Sequence, residues 1–553
     1  VAALPALLGR ASVAAVAVGL LACTPVKVPV PPGVLTVSQE PQATWIRNFN
    51  PLLPHGLARW PTRNGIYEPL MIWNPLQGER VPWLATDARW VDGTQALALT
   101  LREGVRWSDG AAFDAEDVVF TFTLMQETAG FDASGVWQIL EGVEAVDAHT
   151  VRFTFQRPYA PGIDRIVGQV IVPQHLWSLE EDPTSWANPE PVGTGPFTEV
   201  LRFGGQTWEL GRNPHYWQEG RPAVTSLRFP AFPTNEQATL ALMDGEVDWA
   251  GAFVPAIDRI FVGRDPEHHE WWFPAVGGAI HLYPNNTVPP LDQADVRKAI
   301  SLALDRALIC KVAMYGYTNP ADATGLSGGY AVWKSDSAVQ RGSWTDHDPA
   351  RAAAMLDAAG WGLDDRGRRV DPQGTPLALT VTTVSGWSDW VRASQIIARS
   401  LQELGIDASV KTHDFGAWMQ KMQRGDFELA LGWGQAGSTP HPVYRGLLSA
   451  ETAMPIGEPG QTNWHRHESE EADALLEAFE TNADPQDQHR AITALQDLMV
   501  ERAPALPLFW APSWGEANTS RFTGFPSPRD PYARLSPNTG AEALLVLTRL
   551  EPR

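Results

Sequence analysis

Apolar positions along this chain switch repeatedly between a period of two and a period near 3.6, the signature of alternating strands and helices. Asp114, Glu116 and Asp117 precede Val118, Phe122 and Met125 at helical spacing, which predicts an N-capped amphipathic helix. Those acids are therefore read as caps, not catalysts. Val296, Ile300, Leu304 and Leu308 share one face of a second predicted helix, and a third starts at Asp348 and Pro349 and stops at Gly360. The most informative stretch runs from 377 to 433. It predicts strand 377–384, helix 391–404 stopped by Gly405, strand 406–412, helix 415–424 and strand 427–431. This is a βαβαβ unit, and ligands of such open sheets sit beyond the carboxyl ends of the strands. The segments expected at a cleft are thus 385–390, SGWSDW, and 432–442, GWGQAGSTPHP. Trp387, Trp390 and Trp433 stand there beside small, neutral polar residues, which predicts a binding wall and no acid/base centre.

The beginning of the chain follows another pattern. Arg10 precedes twelve small and apolar residues, 11–22, too short a run to cross a bilayer but suited to a signal-peptide core. Leu20, Leu21, Ala22 and Cys23 resemble the bacterial lipobox, so 1–22 is read as a signal peptide and Cys23 as a lipid anchor. The prolines of 24–33 suit an extended spacer. One other cysteine exists, Cys310, beside the apolar Ala307, Leu308 and Ile309, and is read as a buried, inert thiol. With Cys23 acylated, no intramolecular disulfide is expected.

Composition narrows the classes. A chain of 553 residues, 44% hydrophobic and 19% charged, is too long for one ordinary domain, so two or more lobes are expected. Its formal charge of −22 argues against nucleic acid, which is held by clustered Lys and Arg. His268–His269 and His465–His467 lack metal-ligand spacing and are read as solvated loops. A glycosidase would need two carboxylates across a scissile bond, and no such pair is nominated. No enzyme activity, catalytic residue, metal or cofactor is expected.

Longer motifs carry a family resemblance: YEPLMIW (67–73), VPWLA (81–85), LREGVRWSDGAAFDAEDVVFTF (101–122), PVGTGPF (191–197), NPHYW (213–217), GEVDWA (245–250), VRKAISLALDR (296–306), DPARAAAMLDAAGW (348–361) and APALPLF (503–509). The chain resembles the extracellular solute-binding proteins of family 5, which serve ABC importers of oligopeptides, dipeptides, nickel and cello-oligosaccharides. That resemblance implies an α/β, two-lobed Venus-flytrap fold of mixed sheets flanked by helices. It places lobe I at 34–66, 192–283 and 510–553, an inserted subdomain at 67–191, and lobe II at 284–509. Together with the N-terminal pattern, which implies export and a lipid hold on the outer face of the cytoplasmic membrane, it implies a monomer that delivers a small ligand to a permease heterodimer or homodimer. No P-loop occurs, so the ATPase is another chain.

Departures from the family bear on the ligand. Peptide-binding members place an aspartate three residues after the tryptophan equivalent to Trp433, and Ala436 stands here. An arginine that dipeptide binders offer to a carboxylate would fall at Ser385. Their absence, with 24 Trp against 9 Tyr, favours a neutral oligosaccharide of the cello-oligosaccharide type; the alternative is an oligopeptide or dipeptide. The expected ligand-binding residues are Trp387, Trp390, Trp433 and Gln435, with Trp45, Asn48, Asn50 and Trp60 from the first long loop and Trp464 from the second lobe.

Overall fold

The structure, a computed structural model, describes residues 31–39, 42–53, 65–132 and 134–553; Cys23, the signal-peptide segment and Trp60 lie outside them. In the stretch read as βαβαβ, strands Ala378–Val384, Asp407–His413 and Leu429–Trp433 alternate with helices Ser388–Glu403 and Phe415–Arg424. The second helix shows why local sequence sufficed. Asp414 accepts the Ala417 N–H at 3.0 Å, and Gly425 ends the helix at φ 67°, a left-handed conformation that glycine adopts without strain.

These strands lie in a five-stranded sheet. Its spatial order is Asp407–His413, Ala378–Val384, Leu429–Trp433, Ala279–Pro284 and Leu506–Trp510. The first three run parallel, and Ala279–Pro284 is antiparallel to both neighbours. Residues of this sheet and its helices form one hydrophobic core, from Leu282 and Ile300 through Leu431 to Leu508.

A second core belongs to the rest of the chain. It joins a seven-stranded sheet, with Val34–Ser38 near its middle, to a four-stranded antiparallel sheet built from Ala85–Val91, Ala96–Leu101, Thr150–Phe155 and Leu140–Asp147. Trp208 at its heart stacks on Phe229, ring centroids 4.3 Å apart. Helix Ala115–Glu127 covers the four-stranded sheet and starts with the expected capping box, Asp114 with Asp117. A smaller cluster around Leu242, Val254 and Phe261 packs separately, and the two large cores, on separate sheets, make two lobes.

The chain passes between the two large sheets after strand His269–Trp271 and again after Leu506–Trp510. The passages run side by side. Trp272 N–H donates to Gly515 O at 3.0 Å, Ser513 N–H to Pro274 O at 3.0 Å and Ala511 N–H to Gly278 O at 3.1 Å. Strand Ala279–Pro284 already belongs to the five-stranded sheet, so the first passage lies a few residues before the expected boundary at 283/284.

One helix differs from its expected extent. The face Val296–Ile300–Leu304–Leu308 predicts a continuous helix, but Ala294–Ala303 ends at Leu304, whose ψ is 118°. Asp305 then caps a separate turn by accepting the Leu308 N–H at 2.8 Å. Leu308 consequently points outward, 42% exposed, instead of completing the buried face. Cys310 is buried, and burial pushes its thiol up to about 12 despite the nearby Arg306.

Candidate functional site: a cavity between the lobes

The carboxyl ends of Ala378–Val384 and Leu429–Trp433 open on a cavity of about 210 Å³. The five-stranded lobe supplies Ile280, Trp387, Asp389, Trp390, Trp433 and Phe509, and the opposite lobe supplies Asn235, Gly251, Ala252, Phe253 and Asn538. Ala511, Pro512 and Trp514 line it from the second passage. The lobes touch at its edge. Asn235 N–H donates to Gly386 O at 3.2 Å, and Asn235 Nδ2 donates to Asp389 Oδ1 at 3.3 Å.

The indole wall is a packed array. Trp387 is edge-on to Trp390 at 4.8 Å, and Trp433 lies 6.3 Å from Trp387 and 5.1 Å from Trp418. Trp418 and Trp464 are buried behind it, with Trp464 edge-on to Trp433 at 5.6 Å. Buried rings fix the half-exposed ones by contact, so Trp387 and Trp433 reach the cavity as pre-set surfaces.

Asp389 was absent from the sequence-based candidates. It is the second residue of helix Ser388–Glu403, 3% exposed, and lines the cavity. Burial raises its carboxyl to about 6; backbone N–H groups at the helix start and Asn235 offset part of that cost. An acid in the first turn of the predicted helix was visible in SGWSDW. Its approach to Asn235 was not, because that contact spans 154 positions.

The other expected residues fall in different places. Trp45 is buried in the first core, edge-on to Trp208 at 5.9 Å and to Phe229 at 6.5 Å, where it packs and does not reach the cavity lining. Asn50 is buried and donates to Pro183 O at 2.8 Å and Trp186 O at 3.0 Å, which ties down its loop. Asn48 accepts the Asn50 N–H at 3.0 Å in the same turn. Gln435 is half-buried beside Gly446, outside the cavity lining. Ala436 and Ser385 are exposed.

The histidines are not solvated loops. His465 is fully buried and its ring lies against Tyr283 at 5.2 Å, while His269 is buried and stacked on Phe261 at 4.0 Å. Tyr283 reaches His465 from far along the chain, whereas Phe261 is a near neighbour of His269. No group of three or more His, Cys, Asp or Glu is arranged to hold a metal among the described residues. Among them, too, no helix is long and apolar enough to cross a membrane.

Two lobes joined by paired passages and enclosing a cavity define a ligand-capturing protein of the periplasmic binding class. Residues 79–455 match the profile of the bacterial extracellular solute-binding proteins, family 5 (middle), and the chain belongs to that family. The glutathione-binding protein of Salmonella paratyphi A is 26% identical over 454 residues, covering 78% of this chain and 81% of that protein. The nickel-binding periplasmic protein of Escherichia coli is 24% identical over 420 residues, covering 73% and 76%. Among solved structures, the mannohexaose-bound periplasmic oligopeptide-binding protein of Thermotoga maritima superposes with a TM-score of 0.87 at 26% identity, covering 95% of this chain and all of that one. The oligopeptide-binding protein AppA of Bacillus subtilis, in complex with a nonapeptide, has a TM-score of 0.79 at 19% identity, covering 95% and 100%, a likeness of fold. The chain is a substrate-binding protein of an ABC importer, exported and not an enzyme.

Proposed function

We propose that the protein captures a small peptide-class ligand, the alternative in the sequence reading, with Asp389 receiving its ammonium. The observation that carries this is the buried carboxylate in the cavity wall. Ala436 leaves the usual family position without a charge, and that gap was one reason to prefer a neutral sugar. Asp389 offers a partner from the first turn of helix Ser388–Glu403 instead, so a cationic group can enter without being buried unpaired. A cavity of about 210 Å³ is also below the roughly 300–1,000 Å³ of drug-sized ligand pockets, which suits a short ligand. The glutathione-binding relative supports the same class.

A neutral oligosaccharide is kept as the second reading on one observation, the indole wall at Trp387 and Trp433. The mannohexaose complex of the Thermotoga protein favours it. Calorimetry with di- to pentapeptides beside cello- and manno-oligosaccharides decides between them. Binding of peptides, weakened at least tenfold by Asp389→Asn, is expected; binding of sugars with no peptide in the panel overturns the assignment.

The lipid anchor at Cys23, the monomeric state and the lobe limits of the sequence reading, shifted to place strand Ala279–Pro284 in lobe II, belong to the same proposal. Mass spectrometry of the native N-terminus tests the anchor: a mature chain starting at acylated Cys23 is expected, and an unmodified cysteine or cleavage elsewhere rejects it.

A further inference from the structure

Outside the cavity, the two lobes meet again through charged side chains. The loop after strand Thr150–Phe155 of the four-stranded sheet carries Arg157, Tyr159 and Ala160. Arg157 Nη2 donates to Glu480 Oε2 at 2.8 Å, and Ala160 N–H donates to Glu480 O at 2.7 Å. Glu480, near the end of helix Glu470–Thr481, pairs its other carboxylate oxygen with His441 Nε2 at 2.9 Å. Tyr159 stands edge-on to the His441 ring at 6.5 Å, and Phe479 stacks on that ring at 5.3 Å. Tyr159 belongs to one core and Phe479 to the other, so this cluster spans the division between lobes.

A second contact of the same kind starts from strand Glu79–Pro82 and helix Gly162–Val167. Arg80 donates through Nε to Asp164 at 2.8 Å and through Nη2 to Ser438 Oγ at 3.2 Å, while Ser438 Oγ donates to Asp164. Trp433, Ser438 and His441 are therefore points on one segment, which runs from the cavity wall to both contacts. Tyr330 pins its middle: the hydroxyl donates to Gly437 O at 3.0 Å and accepts the Gly437 N–H at 2.9 Å.

We infer that Arg157 with Glu480 and His441, and Arg80 with Asp164 and Ser438, form a clasp that holds the lobes closed in the absence of ligand. The physical basis is the cost of separation. Glu480 has a side chain only 9% exposed, and opening would remove its guanidinium partner while leaving the carboxylate against His441. Burial raises the Glu480 carboxyl, but His441 and Arg157 outweigh it and hold it below the ordinary range. Charge-assisted hydrogen bonds of this geometry are about twice as strong as neutral ones. Capture benefits directly: apparent affinity scales with the fraction of empty protein already in the competent form.

The clasp is testable with no ligand at all, so its failure is separable from an error in the ligand class. Arg157 and Arg80 keep 43% and 29% of their side chains exposed, and Met retains most of their apolar stems. Small-angle X-ray scattering and iodide quenching of tryptophan are compared for the empty wild type and the double variant Arg80→Met/Arg157→Met, with circular dichroism to establish folding. A larger radius of gyration and a severalfold rise in quenching are expected, with Arg157→Lys remaining near wild type. Scattering and quenching indistinguishable from wild type in the folded double variant overturn the clasp. So does an equal opening in Arg157→Lys, which would assign the effect to packing and not to charge.

Discussion

His281 lies fully buried on strand Ala279–Pro284, paired with the strand that ends in Trp433, and its titration should make the second lobe acid-sensitive. Burial pulls its pKa from 6.5 to about 3, with the Ala279 backbone opposing only weakly. A histidine whose pKa is depressed by folding stabilises the native state above its unfolded pKa. That contribution is lost as pH falls, because the unfolded chain takes up the proton first. Between pH 7 and pH 5 the unfolded form gains roughly 1.4 log units of protonation free energy that the folded form does not, or about 2 kcal/mol at 1.36 kcal/mol per unit. His467, pulled to about 4 by burial and nearby arginines, works in the same direction. The assay is equilibrium urea unfolding at both pH values, read from tryptophan fluorescence, for wild type and His281→Gln. The glutamine variant starts from lower stability, but its loss on acidification should be smaller by about 2 kcal/mol. Parallel losses in the two proteins would refute the argument, since they would assign the acid sensitivity to other groups.

Three further outcomes are expected. Asp389, raised to about 6 by burial, is ionised at pH 7 and largely neutral at pH 5, so affinity for a peptide ammonium should fall about tenfold across that interval and become flat in Asp389→Asn, as titration calorimetry can follow. Trp433→Ala should remove on the order of 2 kcal/mol of ligand binding and lower the thermal midpoint, because Trp418 and Trp464 lose a ring that lies within 5.6 Å of each; an unchanged affinity would exclude this ring from the site. Cys310, buried with its thiol pushed up to about 12, should resist Ellman's reagent at pH 8 and react only in denaturant.

The parts legible in the sequence were those governed by neighbours in the chain. The elements between 377 and 433 appear within two residues of their predicted limits, apart from a helix that starts three residues early at Ser388, because periodicity, Asp414 and two glycines act locally. Even the break before Leu308 was written there, in an aspartate at the position a new helical turn would use. Tertiary pairing was not legible. Trp45 looked like a cleft residue until Trp208 and Phe229 surrounded it, and His465, in a turn, looked solvated until Tyr283 met it from strand Ala279–Pro284. Asp389 is the instructive case: local sequence identified a helix-start acid, but only the arrival of Asn235 from the other lobe makes it part of a cavity wall.

The paired passages between the lobes have a mechanical consequence. Two segments of the chain joined by three backbone hydrogen bonds behave as a laminated strip: bending across its thickness is easy, while twisting it or sliding one ply along the other breaks rungs. The lobes are thereby restricted to a single swing. Ala511, Pro512 and Trp514 line the cavity from the strip itself, at the pivot, where travel is least. That side of the wall keeps its shape through the whole stroke, while the far wall, with Trp387 and Trp433, travels along one fixed arc.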